Sequence, residues 1–136
     1  WTLMKVQGAC HCGDVSYGAI VDPARVSICH CTDCQALTGA AYRVTVPTLI
    51  EDFELRTGSP KVYIKTGDSG AKRAQAFCPR CGSPIYAHAV ENPKTYGLRV
   101  GCIAQRRELV PTLQIWCDSA LTWTGDIEDI PKRPRE

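Results

Sequence analysis

No stretch of the chain approaches the roughly 20 uninterrupted apolar residues that span a bilayer. Its first residues also lack a charged start, an apolar core and a small-residue cleavage site. Membrane insertion and secretion are not expected, and a reduced, cytoplasmic setting is. There is no repeat of solenoid period and no low-complexity linker. With 44% apolar and 22% charged side chains in 136 residues, collagenous and disordered classes fall away and one compact domain remains. That domain is expected to run from Met4 to about residue 125, with Trp1-Thr2-Leu3 carrying no function. An extended tail at 126–136, with two prolines and alternating charges, is expected to follow.

Net charge is small as well, at +2. The basic groups Lys72-Arg73, Arg106-Arg107 and Lys132-Arg133-Pro134-Arg135 have no interleaved aromatics, so they read as solvated surface and nucleic acid is not an expected partner. Any of them near a reactive centre would suit the carboxylates of an acidic thiol.

What the chain does have is cysteine: nine of them, an odd number, of which seven fall in tight groups. The groups are Cys10 and Cys12; Cys29, Cys31 and Cys34; and Cys78 and Cys81. Disulfides between residues so close in sequence would strain the backbone. The same spacing aims sulfurs at one point, as tetrahedral zinc requires. Metal binding is therefore the first reading. If four sulfurs hold one zinc and three hold another, ligand deprotonation takes the formal charge from +2 to −1, and the basic balance vanishes.

Two partitions are chemically sensible. In one, Cys31/Cys34 join Cys78/Cys81 in a zinc-ribbon-like site and leave Cys10, Cys12 and Cys29 over. In the other, Cys10/Cys12 join Cys78/Cys81 in a closed site, and Cys29, Cys31 and Cys34 form a separate one. Three protein ligands leave a tetrahedral position free for water or a substrate thiol, which is the arrangement of a catalytic zinc. Spacing alone does not choose between the two.

Short runs rich in Val, Ile, Tyr and Thr, alternating at period two and broken by Gly, Pro, Asp or Asn, predict strands. They lie at 5–9, 15–21, 26–29, 41–47, 53–57, 62–66, 74–77, 85–88, 97–101 and 112–117. One short helix is expected at 32–37, capped by Thr32 or Asp33 and closed by Gly39. So modest a core favours at least one closed zinc site that clips distant segments together.

Three cysteine blocks carry a resemblance. They are Gly8-Ala9-Cys10-His11-Cys12-Gly13-Asp14-Val15-Ser16-Tyr17; Cys29-His30-Cys31-Thr32-Asp33-Cys34-Gln35 with Thr38-Gly39-Ala40; and Phe77-Cys78-Pro79-Arg80-Cys81-Gly82-Ser83-Pro84-Ile85. With Phe53-Glu54-Leu55, Gly58-Ser59-Pro60 and Tyr63 between them, the chain resembles the glutathione-dependent formaldehyde-activating enzyme family, which includes centromere protein V-like proteins. The resemblance spans roughly residues 5 to 125. It implies a mainly β, β-tent fold of stacked antiparallel sheets with one short helix.

It also implies two zinc ions: a structural one on Cys10, Cys12, Cys78 and Cys81, and a catalytic one on Cys29, Cys31 and Cys34. The activity it implies is joining formaldehyde and glutathione into S-hydroxymethylglutathione, a carbon–sulfur lyase run in reverse, or a related reaction on a small thiol adduct. The alternatives are a non-catalytic zinc-stabilised binding module and a thiol redox sensor.

Other residues read as structural. His11 and His30 are expected to point away from metal, and His88 to have a structural role. Cys102 and Cys117 are expected to be buried small hydrophobes, and Trp116 and Trp123 to be core or pocket-wall aromatics. Leu121-Thr122 depart from the family's commoner approach to the second tryptophan.

Overall fold

A computed structural model describes residues 3–136; Trp1 and Thr2 lie outside the described residues. Among the described residues ten strands and one α-helix follow one another: β1 (Met4–Ala9), β2 (Ser16–Val21), β3 (Ser27–Cys29), α1 (Thr32–Thr38), β4 (Arg43–Leu49) and β5 (Phe53–Thr57). Then come β6 (Lys61–Thr66), β7 (Lys72–Phe77), β8 (Pro84–Ala89), β9 (Thr95–Arg99) and β10 (Leu113–Ile115). Every predicted strand is present, with ends displaced by at most two residues. The chain is mainly β, as expected.

The strands form a three-stranded sheet in the order β1-β2-β5 and a seven-stranded sheet in the order β10-β3-β4-β9-β8-β7-β6. All pairings are antiparallel except one. β10 lies parallel to β3, with Ile115 opposite Cys29, which corrects the purely antiparallel expectation. A parallel partner needs a long connection. Here the whole of β4 to β9 intervenes.

Alternation buries one face of β1, where Val6 is almost fully covered, and most of β2. Val6, Val15, Tyr17, Val21, Val26, Val46, Ile85, Leu98 and Ile103 form the core shared by the two sheets. Aromatic rings extend it: Phe53 lies 5.0 Å from Tyr17 and 5.0 Å from Tyr96, and Tyr96 stacks on Tyr86 at 4.5 Å. Within the three-stranded sheet the Tyr17 ring lies over its cross-strand partner Gly8, where a Cβ would sit 2.1 Å from the ring. Residues 126–136 are exposed and carry neither helix nor strand.

Candidate metal centres

Each cysteine block sits where a strand ends. Cys10 and Cys12 lie in the β1–β2 turn, which is tightened by the Cys10 amide donating to Val15 O at 2.9 Å and by Gly13 at positive φ. Cys78 and Cys81 lie in the β7–β8 turn, where Gly82 takes the same left-handed conformation and donates to Cys78 O at 2.8 Å. The two turns belong to different sheets, and they meet. All four sulfurs fall within 4.8 Å of one another, with Cys10 Sγ 3.6 Å from Cys12 Sγ and Cys12 Sγ 3.7 Å from Cys78 Sγ. Tetrahedral zinc with bonds of about 2.3 Å places its sulfurs about 3.75 Å apart, so the spacing fits that ion.

The surroundings of this group favour thiolates unevenly. The Ser83 hydroxyl, 3.2 Å from Cys81 Sγ, and nearby amides pull the Cys81 thiol down to about 5. A backbone N–H contact from Asp14 favours the Cys12 thiolate, yet burial and the neighbouring sulfurs push that thiol up to about 12. Without a cation the four sulfurs compete for negative charge. A divalent ion removes the competition.

The second group is Cys29 at the end of β3, Cys31 just before α1 and Cys34 in its first turn. These three sulfurs also lie within 4.8 Å of one another, and among the described residues no fourth Cys, His, Asp or Glu joins them. The helix is capped by neither Thr32 nor Asp33. Cys31 is the N-cap, and its Sγ accepts a hydrogen bond from the Cys34 amide at 3.2 Å. The physical reason is that this sulfur, as a thiolate, is itself an acceptor in the cap position. Gly39 closes the helix in the left-handed conformation, as its sequence position predicts.

Burial raises the Cys31 thiol, but the Cys34 amide and the neighbouring sulfurs outweigh it, and the thiol is held below the usual range. Burial and Cys31 together push Cys34 up to about 12, while the Arg43 guanidinium pulls the other way.

The zinc-ribbon partition is thereby overturned: Cys31 and Cys34 do not meet Cys78 and Cys81. Residues 5–119 match the family described as glutathione-dependent formaldehyde-activating enzyme. The chain belongs to that family. A crystal structure of a Rhodobacter sphaeroides protein from a structural-genomics programme is similar to it in fold, with a TM-score of 0.62 at 20% identity, covering 79% of this chain and 98% of that one. Membership accords with the cysteine pairing seen here. Among the described residues, no helix is long and apolar enough to cross a membrane.

Around the second group and elsewhere, the structure tests the remaining expectations. His30 joins neither sulfur group, as expected, and is buried. It is 2% exposed, its Nε2 lies 2.8 Å from Gln114 Oε1, and its Nδ1 is buried without a partner. His11 is exposed, and His88 stacks on Tyr96 at 4.9 Å with Nδ1 against Ala89 O, a structural placement. Cys102 is half-buried and donates to Pro84 O, whereas Cys117 is exposed, so only the former resembles a small core residue.

Trp116 and Trp123 are 57% and 56% exposed and do not enter the core. Trp116 has φ +55, a conformation that favours glycine. The chain turns there because the His30 amide holds Ile115 O, and Gln35 Nε2 donates both to His30 O at 2.9 Å and to Ser119 O at 3.0 Å. This pins the segment after β10 against the three-cysteine group.

Sequence reading also missed Arg43 and Arg99. Arg43 pairs with Cys29 across β3 and β4, and Arg99 with Thr45 across β4 and β9. Paired residues and residues two apart share a face. The register therefore sets both guanidinium-bearing residues on the face that carries Cys29. The signal available was a positive charge at an alternation position that ought to be buried.

Proposed function

We propose that this chain is a zinc-dependent enzyme that makes or breaks a carbon–sulfur bond in a small thiol adduct, of which S-hydroxymethylglutathione is the leading case. The observation that supports it is the contrast between the two groups, four converging sulfurs in one and three in the other, with no further protein ligand joining the three among the described residues. Cys10, Cys12, Cys78 and Cys81 then serve as structural ligands, and Cys29, Cys31 and Cys34 hold the reactive ion. A zinc bound there supplies positive charge that favours the thiolate form of an incoming thiol.

The chain's own residues set up the rest. The Cys34 amide steadies the Cys31 sulfur, and Gln35 fixes the loop that borders the group. Buried guanidiniums nearby compensate excess negative charge. In the forward direction the thiol sulfur bonds to the aldehyde carbon, the carbonyl π pair moves to oxygen, and that oxygen takes up the proton the thiol gave up. No oxidant or reductant is needed. Loss of the adduct reverses each step.

The test follows carbon-13 formaldehyde and glutathione by NMR with zinc-loaded protein. Catalysis should appear as faster exchange between free and thiol-bound formaldehyde than in the uncatalysed mixture, and it should vanish in Cys31→Ser. Exchange no faster than the uncatalysed mixture, across glutathione and other small thiols, would overturn the reading.

A further inference from the structure

Among the described residues two arginines lie buried with no acidic partner. Arg43 is 6% exposed and Arg99 8%. The ion pairs among the described residues involve Arg56, Lys65, Arg80 and Lys132 instead. What the two share is one neutral oxygen. Gln75 Oε1 accepts from Arg43 Nη1 at 3.2 Å and from Arg99 Nη2 at 2.9 Å, while Arg99 Nη1 donates to Thr45 Oγ1 at 3.0 Å. Arg43 Nε is buried without any partner.

A buried unpaired charge costs several kcal/mol in general, and two like charges meeting on an amide oxygen add repulsion. Burial, and then Arg43, push Arg99 down to about 9. An arrangement of this kind is left incomplete by the protein and suits an anion.

The three nearby sulfurs do not supply enough negative charge to complete it. As thiolates with one divalent ion they carry a net −1 against +2 on the two guanidiniums, so one positive charge is left over. The arginines also face a cavity of about 340 Å³, lined by Leu37, Tyr63, Gln75 and Phe77 among others. Its lining reaches from Leu37, one helical turn after Cys34, and Arg43, the cross-strand partner of Cys29, to Gly82, next to Cys81, so the cavity lies between the two cysteine groups. Its walls are mostly apolar, and the polar side-chain groups among its lining residues are the two guanidiniums, the Gln75 amide and the Tyr63 hydroxyl. Gly97 preserves the packing here, since a Cβ would approach Thr45 Cγ2 to 3.0 Å and Arg99 Nη1 to 3.7 Å.

We propose that Arg43 and Arg99 form a subsite for one carboxylate of the substrate, so that the compound handled at Cys29, Cys31 and Cys34 is an acidic thiol or its adduct. The inference rests on the proposed function only in taking those three cysteines as the reactive centre. A carboxylate can accept from both guanidiniums and satisfy Arg43 Nε, as Gln75 cannot.

Calorimetry on zinc-loaded protein tests this with three probes: 3-mercaptopropionate, its neutral counterpart 3-mercaptopropan-1-ol, and propionate. The acidic thiol should bind at least about tenfold more tightly than the alcohol, and propionate should bind in competition with it. Gln75→Glu places a carboxylate between the arginines. It should raise the thermal midpoint and weaken both acids by about tenfold or more, leaving the alcohol within about twofold. Arg99→Met should weaken the acids likewise.

Equal affinity of the two thiols for the unmodified protein overturns the subsite without recourse to any variant. So does an Arg99→Met or Gln75→Glu effect as large on the alcohol as on the acid, which would make the bound anion the substrate sulfur. If propionate binds through Arg99 while neither thiol engages the protein, the subsite stands and the proposed function falls.

Discussion

The amide of Cys34 donates to the sulfur of Cys31 at 3.2 Å, so the atom that caps the helix is also one of three converging metal-ligand candidates. Folding of this turn and assembly of the group are therefore one event. A serine at 31 can still cap, but it replaces a soft thiolate by a hydroxyl. Cys31→Ser is expected to keep the circular dichroism of the parent and lower zinc content from two ions per chain to one, measured by mass spectrometry of the intact protein. Retention of two ions would contradict the second site.

The four-cysteine group joins the β1–β2 turn to the β7–β8 turn, and so one sheet to the other. Structural zinc sites contribute on the order of 10 kcal/mol of apparent binding free energy, comparable to a domain's net stability. Cys81→Ser, or prolonged chelation of the parent, should abolish cooperative thermal unfolding and collapse amide dispersion in NMR. A folded Cys81→Ser protein with its midpoint within a few degrees of the parent would mean the packing of the sheets suffices alone.

Gly8 is covered by the ring of Tyr17, and a Cβ there would meet Cζ at 2.1 Å. Gly8→Ala should displace Tyr17 and with it Phe53, at a cost of about 1–3 kcal/mol by urea denaturation. Gly101→Ala is the control, because nothing lies within 4 Å of its Cβ position, and it should fall within about 0.5 kcal/mol of the parent.

Burial pushes the Tyr17 phenol above its ordinary range, and its hydroxyl is buried with no partner. A group whose folded pKa is raised contributes stability below its unfolded pKa and loses it as pH climbs, so this domain should weaken above about pH 10. Tyr17→Phe should be neutral or stabilising at pH 7, since an unpaired oxygen is removed, and should blunt the alkaline loss. Urea titrations at pH 7 and pH 10.5 measure both. Marked destabilisation of the phenylalanine variant at pH 7 would show that the hydroxyl has a partner.

The sequence by itself determined the strands, the helix and the membership of each cysteine block. These are local properties: alternation at period two, glycine in tight turns, and sulfurs two or three residues apart. Cys10 and Cys12 face one point because of their spacing, wherever the rest of the chain goes. Which block joins which was decided only when sheet order brought residues 10–12 beside 78–81, a contact across 66 or more positions that no local pattern encodes.

The same is true of β10, whose parallel seat on β3 puts Gln114 on His30 across 84 residues and leaves Trp116 and Trp123 in solvent. Arg43, Gln75 and Arg99 come from three different strands, and only lateral pairing sets them together. Local sterics and hydrogen bonding fix what a segment becomes. Long-range burial, which gains most when both sheets close on one core, fixes which segments meet.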